Sequence, residues 1–246
     1  MTLRLACLQQ NIVADNPSAN YARVRQAFEG VEADMLVVPE AFNVGFGNNM
    51  ASQAEPADGP TLAFAQEMAA RHQALFVGTW CVEEEGRLYN RLHWVDASGA
   101  VGHYDKHHLF RLSSEIEHFT PGSDTPLMLH KGWRVRPAVC YDLRFPTFLR
   151  NKGLHYDMLL LCANWPASRR NAWTTLLQAR AIENQCYVVG VNRCGGAYEG
   201  DTLILDYQGR VIASAQGAKE QIVCASLSLD PLQHYRQQWP FHLDAD

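Results

Sequence analysis

The sequence predicts an α/β fold with mixed sheets. Short apolar runs alternate with amphipathic segments along the whole chain, which is how strands that cross over through helices are written. A late series of strands is joined by short turns, and that arrangement needs antiparallel pairing as well. The 246 residues fit one large domain or two small ones, and no Pro/Gly/Ser-rich linker divides them.

Taken in order, LRLACLQ (3–9) reads as a first strand and DMLVVPE (34–40) as a buried strand ending in Pro-Glu. Between them Tyr21, Val24 and Phe28 recur at helical spacing. Gly59-Pro60 opens a second helix, with Leu62, Ala65, Met68 and Ala69 on one face. ALFVGTWC (74–81) is a strand, and LYNRLHWV (88–95) and VGHYDK (101–106) flank a hairpin signal at Asp96-Ala97-Ser98-Gly99. In the second half WRVRPAVC (133–140), DMLLLC (157–162), CYVVGVN (186–192), TLILD (202–206), RVIASA (210–215) and QIVCASLSL (221–229) read as strands. The clearest helix is 170–184, where Trp173, Leu176, Leu177, Arg180, Ala181 and Asn184 form a stripe.

Composition excludes several classes. The chain is 47% apolar and 19% charged, which is ordinary for a protein with a substantial core. No apolar run is long enough to span a membrane. The N-terminus reads as a buried strand, not a secretory signal. A net charge of -5 without a basic block argues against nucleic-acid binding. The seven cysteines are scattered, with no C-x-x-C pair, so neither a disulfide framework nor a zinc cluster is indicated, and a reducing cytoplasm is the expected location. His103, His107 and His108 lack a carboxylate or cysteine at ligand spacing, so no metal or other cofactor is expected.

Three segments share one design: an apolar strand ends and a reactive residue follows. LVVPE ends in Glu40, GHYDK in Lys106 and RPAVC in Cys140. The carboxyl ends of strands are where α/β sites assemble. A free thiol is only a few per cent thiolate at neutral pH and needs a base or a cation to attack. Glu40 could take the thiol proton and return it to a leaving amine. Lys106 and the backbone N–H of Tyr141 could hold the anionic oxygen of a tetrahedral intermediate. Taken singly, each residue has a plainer reading, as a solvated loop glutamate, an edge-protecting lysine and a core cysteine.

The surrounding wording overturns those readings. VVPEAF (37–42), YDKHHLF (104–110), CYDLRFP (140–146), ANWP (163–166) and QARAIENQCYVVGVNRCG (178–195) stand in the order of the nitrilase, or carbon–nitrogen hydrolase, superfamily, which the chain resembles over nearly its whole length. The resemblance implies a single domain over 1–246, a four-layer αββα sandwich, and metal-free hydrolysis of a non-peptide C–N bond through a thioester. Glu40, Lys106 and Cys140 fall on the family's catalytic residues. The family's second glutamate lies before a Pro-Gly. In SSEIEHFTPG (113–122) the spacing selects Glu115 over Glu117, with the role of orienting substrate or water near Cys140.

Asp142 and Arg144 are expected to pair, or to cap a helix starting near Phe145-Pro146, whose N-terminus would favour the thiolate. Asn164 and Trp165 are expected to line the substrate pocket. Arg193 is open between an anion partner and a salt bridge. Within the superfamily the wording most resembles the ω-amidase branch, which hydrolyses the terminal amide of 2-oxoglutaramate or 2-oxosuccinamate. Deaminated-glutathione and N-carbamoyl amidases are neighbouring readings, and a non-catalytic binding relative is the alternative class. The resemblance also implies a homodimer or larger homo-oligomer. The C-terminal segment 230–246 could either cross such an interface or fold back on its own domain.

Overall fold

A computed structural model describes residues 1–47 and 49–244. The first half supplies strands β1 (Thr2–Gln9), β2 (Met35–Val37), β3 (Glu55–Pro56), β4 (Leu75–Glu84), β5 (Arg87–Val95) and β6 (Val101–Asp105). The second supplies β7 (Met128–His130), β8 (Trp133–Val139), β9 (Met158–Ala163), β10 (Tyr187–Asn192) and the short ribbon β11 (Cys194–Gly195) with β12 (Tyr198–Glu199). β13 (Leu203–Leu205), β14 (Val211–Ser214) and β15 (Gln221–Ser228) follow. The helices are α1 (Pro17–Ala27), α2 (Pro60–His72), the single turn α3 (Glu115–His118), α4 (Arg170–Asn184) and α5 (Leu229–Gln238).

Two mixed sheets form, as the pattern requires. The first runs β15-β1-β2-β4-β5-β6, with β3 beside β4, and the second runs β14-β13-β10-β9-β8-β7. Strands β1, β2 and β4 are mutually parallel, and so are β8, β9 and β10; antiparallel partners flank both sets. Successive residues of a strand face opposite ways, so each central strand feeds two cores. Leu5, Cys7, Val37 and Val77 meet Val135, Leu160 and Val189 between the sheets. Ala6, Leu8 and Phe76 point outward onto Val24 and Phe28 of α1 and Phe64 and Met68 of α2. On the far side Ala138, Leu159 and Leu161 pack against Trp173, Leu177 and Ala181 of α4. The layer order is helix, sheet, sheet, helix, the architecture expected from the resemblance.

Local signals account for the helix ends. The Asn16 side chain accepts from the Ala19 N–H at the start of α1, with proline in the first turn. α2 and α4 stop where Gln73 (φ 49) and Gln185 (φ 47) turn left-handed. The helix expected near Phe145-Pro146 does not form. A single 3-10 turn, Cys140–Arg144, begins at the cysteine itself, so no helix dipole of useful length points at the thiol. The C-terminal segment folds back on its own chain. From α5, Arg236 donates to the carbonyls of Gln185 and Tyr156, both at 2.8 Å, and to Asp157 at 2.9 Å. Residues 245 and 246 lie outside the described residues.

Candidate active site

The strand ends that carry the site belong to two different sheets. Glu40 follows β2 and Lys106 follows β6, which runs in the direction of β4 because each is antiparallel to β5. Cys140 ends β8 and Asn164 ends β9 in the second sheet. The sandwich therefore brings the residues together at one end of the gap between its sheets, where Lys106, Cys140 and Asn164 line a cavity of about 150 Å³ and Glu40 is buried behind them.

Glu40 is completely buried. Its Oε1 accepts from Lys106 Nζ at 3.0 Å and Asn90 Nδ2 at 2.9 Å, while Oε2 accepts the Asn164 N–H at 2.9 Å. A carboxylate offers about four acceptor positions, so the Oε2 side keeps one free. Glu115 is buried as well, and Lys106 Nζ donates to both of its oxygens at 2.9 Å. Asn90 Nδ2 at 3.0 Å and the Phe110 N–H at 2.6 Å complete the Glu115 shell. Glu117 is exposed on the same turn. The Glu115 contacts hold the lysine.

One cation between two carboxylates sets the electrostatics. Burial alone would lower the Lys106 pKa, but Glu115 and Glu40 outweigh it and raise it, so the ammonium stays charged. Burial and then the Glu40 charge push the Cys140 thiol well above its usual range, against the opposing pull of Lys106 and the Asn164 N–H. The thiol thus faces a carboxylate that makes it hold its proton more firmly than a free cysteine. The Cys140 backbone is left-handed, with φ 44, and so is Ala41 beside Glu40, with φ 45. Non-glycine residues in that region carry strain and persist only where their surroundings enforce it.

The enforcing contacts are visible. Asp142 Oδ2 accepts the Val139 N–H at 2.9 Å and the Tyr104 hydroxyl at 2.7 Å. Its Oδ1 accepts the His108 N–H at 2.9 Å and lies 2.9 Å from His108 Nδ1. Asp142 thereby ties the cysteine turn to the loop that follows Lys106, and Arg180 of α4 donates to the Leu143 carbonyl at 2.8 Å beneath it. The expected Asp142–Arg144 pair is not made: the Arg144 guanidinium lies 5.0 Å from the Trp165 ring centroid. His107 and His108 lie beyond the end of β6, and Nδ1 of His107 meets the Gly122 carbonyl at 2.7 Å.

Asn164 and Trp165 both line the cavity, as does Tyr141. The Asn164 side chain also donates to the Glu40 carbonyl and accepts from Arg193 Nη1 at 3.2 Å. Arg193 makes no salt bridge among the described residues. It is buried, donates to the Ile12 carbonyl at 3.0 Å, and lies 4.3 Å from the Tyr198 ring centroid. Sequence reasoning missed Asn90, Arg169, Phe110 and Tyr198. Asn90 left no clear signal, because its strand also carries Arg91 and His93.

A cavity-lining thiol with a buried carboxylate and ammonium at the shared end of a four-layer sandwich defines a class, and comparison with known proteins agrees. The carbon–nitrogen hydrolase family model matches residues 4–237, and the chain belongs to that family. It is 39% identical to Omega-amidase YafV of Yersinia enterocolitica, covering 100% of this chain and 97% of that protein. It is 32% identical to 2-oxoglutaramate amidase of Bacillus subtilis, over 98% and 96% of the two chains. Among solved structures, the CN-hydrolase superfamily protein XC1258 of Xanthomonas campestris, which holds an arsenic adduct in its active site, superposes with a TM-score of 0.97 at 37% identity. That match covers 100% of this chain and 98% of the other.

Proposed function

We propose that the protein is an ω-amidase: it hydrolyses the terminal amide of a small acid such as 2-oxoglutaramate or 2-oxosuccinamate, releasing ammonia and the dicarboxylate. The observation that carries this is the Cys140 thiol and the Lys106 ammonium lining one cavity, with Glu40 hydrogen-bonded to Lys106 and to the Asn164 N–H behind them. Similarity over the full chain to proteins named for this activity supports the substrate class.

In this reading Glu40 removes the thiol proton as Sγ attacks the amide carbon. Lys106 Nζ and the Tyr141 N–H, which as an early N–H of its 3-10 turn lacks an acceptor within the turn, receive the oxyanion. Glu40 then passes the proton to the leaving nitrogen, the C–N bond breaks, and ammonia departs from a Cys140 thioester. Water attacks the thioester carbon, giving its proton to Glu40. The C–S bond breaks and the proton returns to sulfur. Glu115 holds Lys106 in place throughout. Arg144 and Arg169 line the cavity and give it positive charge suited to the acid end of such substrates.

Ammonia release from 2-oxoglutaramate, together with mass detection of an acyl group on Cys140 during turnover, tests this. Cys140→Ala is expected to abolish both. A variant with full amidase activity would overturn the mechanism.

Three broader features belong to the same proposal. A single hydrolase domain occupies 1–246. The seven cysteines are all free, as suits a cytoplasmic enzyme. No helix among the described residues is long and apolar enough to cross a membrane. A homodimer would cover exposed Ile182 on α4 and the neighbouring Val211 and Ile212. Light scattering of the wild type and of Ile182→Glu tests that pairing.

A further inference from the structure

Two arginines adjacent in the sequence, of which Arg169 lines the cavity, are used differently. Arg170 is paired outward, with Nε 2.6 Å from Asp201 Oδ2. Arg169 points the other way, lining the cavity with its guanidinium 5.1 Å from the Phe110 ring centroid. Among the described residues Arg169 has no carboxylate partner, whereas Arg170 beside it in the sequence has one.

Arg169 is held with unusual completeness for a half-buried residue. The Trp165 indole N–H donates to its carbonyl at 2.8 Å, and its own N–H donates to the Pro166 carbonyl at 3.0 Å. The turn is pinned again where the Ala167 N–H donates to the Ala197 carbonyl at 2.9 Å. The platform beneath the guanidinium is fixed too, because the Phe110 N–H donates to Glu115 Oε2 at 2.6 Å. A guanidinium stacked on an aromatic face keeps its planar fork free and gives up little rotamer freedom when it binds. A carboxylate matches that fork.

We propose that Arg169 selects for amides bearing a carboxylate at the end remote from the scissile bond, with Trp165 as its positioning residue. This rests on the amidase reading above. It assigns the substrate's charge to a turn that follows β9, outside the set that performs the chemistry.

Kinetics with succinamate and with butanamide, which replaces the acid end by a neutral one, test the assignment by ammonia release. The wild type is expected to prefer succinamate. Arg169→Gln is expected to raise KM for succinamate by about ten- to a hundredfold, the size of a charged hydrogen bond, and to change butanamide turnover far less. Arg169→Lys keeps the charge without the fork and should fall between. Trp165→Phe keeps a ring under Arg144 but removes the N–H, so KM for succinamate should rise by less. A loss at Arg169→Gln that is equal for the two amides, or absent for both, overturns the assignment. A wild type that hydrolyses both amides equally overturns it while leaving the amidase reading intact, and a wild type that releases no ammonia from 2-oxoglutaramate overturns the amidase reading itself.

Discussion

The reacting end of the cavity and its mouth are built on opposite plans. At the reacting end Glu40, Lys106 and Glu115 are buried and joined through Asn90 into one hydrogen-bonded cluster. At the mouth Arg144 is exposed and Arg169 half-buried, each lying over an aromatic ring instead of against a carboxylate. The first plan fixes geometry and charge before substrate arrives. The second leaves charge unsatisfied until substrate supplies its partner. Buried charges demand pairing, so the inner set behaves as a unit, whereas outer residues can change one at a time.

Glu40→Gln should give the largest effect, and in two directions. Loss of a general base costs about 10²- to 10⁴-fold in turnover. The Glu40 charge is also one reason that the Cys140 pKa is raised. Removing it lowers that pKa, leaves more thiolate at a given pH, and should speed alkylation of Cys140 by iodoacetamide at pH 8. If turnover and alkylation fell together, the glutamate would be holding the turn instead of moving a proton.

Lys106→Met should come next, losing about 10²- to 10³-fold in kcat as an oxyanion partner. It also strands two buried carboxylates, a loss of about 3–5 kcal/mol in stability. The pH dependence has a definite sign. The raised Lys106 pKa means that its stabilisation is complete below the unfolded lysine value, about 10.4, and is lost only as pH rises through the higher folded value. In the variant the two buried carboxylates are left without their shared cation, and their mutual repulsion is relieved by acid. Urea midpoints should therefore recover toward the wild type as pH falls from 7 to 5. A variant whose deficit is constant with pH would dissolve the idea of a charge-coupled unit.

Glu115→Gln removes one of the two carboxylates on Lys106 and should lower kcat by about ten- to a hundredfold. Glu117→Gln, at an exposed position two residues on, should leave kcat unchanged. Equal losses at the two positions would contradict the choice made from the spacing to Gly122.

The two plans also differ in how far the sequence exposed them. The strands that carry Glu40, Lys106 and Cys140 announce themselves because a buried parallel strand is continuously apolar, so a polar residue at its end stands out. The fold class follows from the same runs. That two sheets share the rim does not, because pairing partners are remote in sequence. Nor does the left-handed turn at Cys140, since cysteine carries none of glycine's signal for it. Asp142 looked like a partner for Arg144 on local spacing, but donors from Tyr104, Val139 and His108 claim it through tertiary contact. Arg169 was invisible because adjacent arginines look alike until Asp201 is seen to take one of them.

The smallest effect expected is on stability at the mouth. Arg144 is exposed, and its recorded contact is with the Trp165 ring. An exposed cation–π contact is worth about 0.5–1 kcal/mol, so Arg144→Gln should shift the urea midpoint slightly, at unchanged slope. The same variant should weaken turnover of anionic amides while sparing neutral ones, because its charge faces the cavity and supports nothing beneath it. A deficit approaching that of Lys106→Met would mean that the guanidinium braces the 3-10 turn carrying Cys140. The mouth and the reacting end would then be one structural unit, and charge selection could not be altered without disturbing the nucleophile.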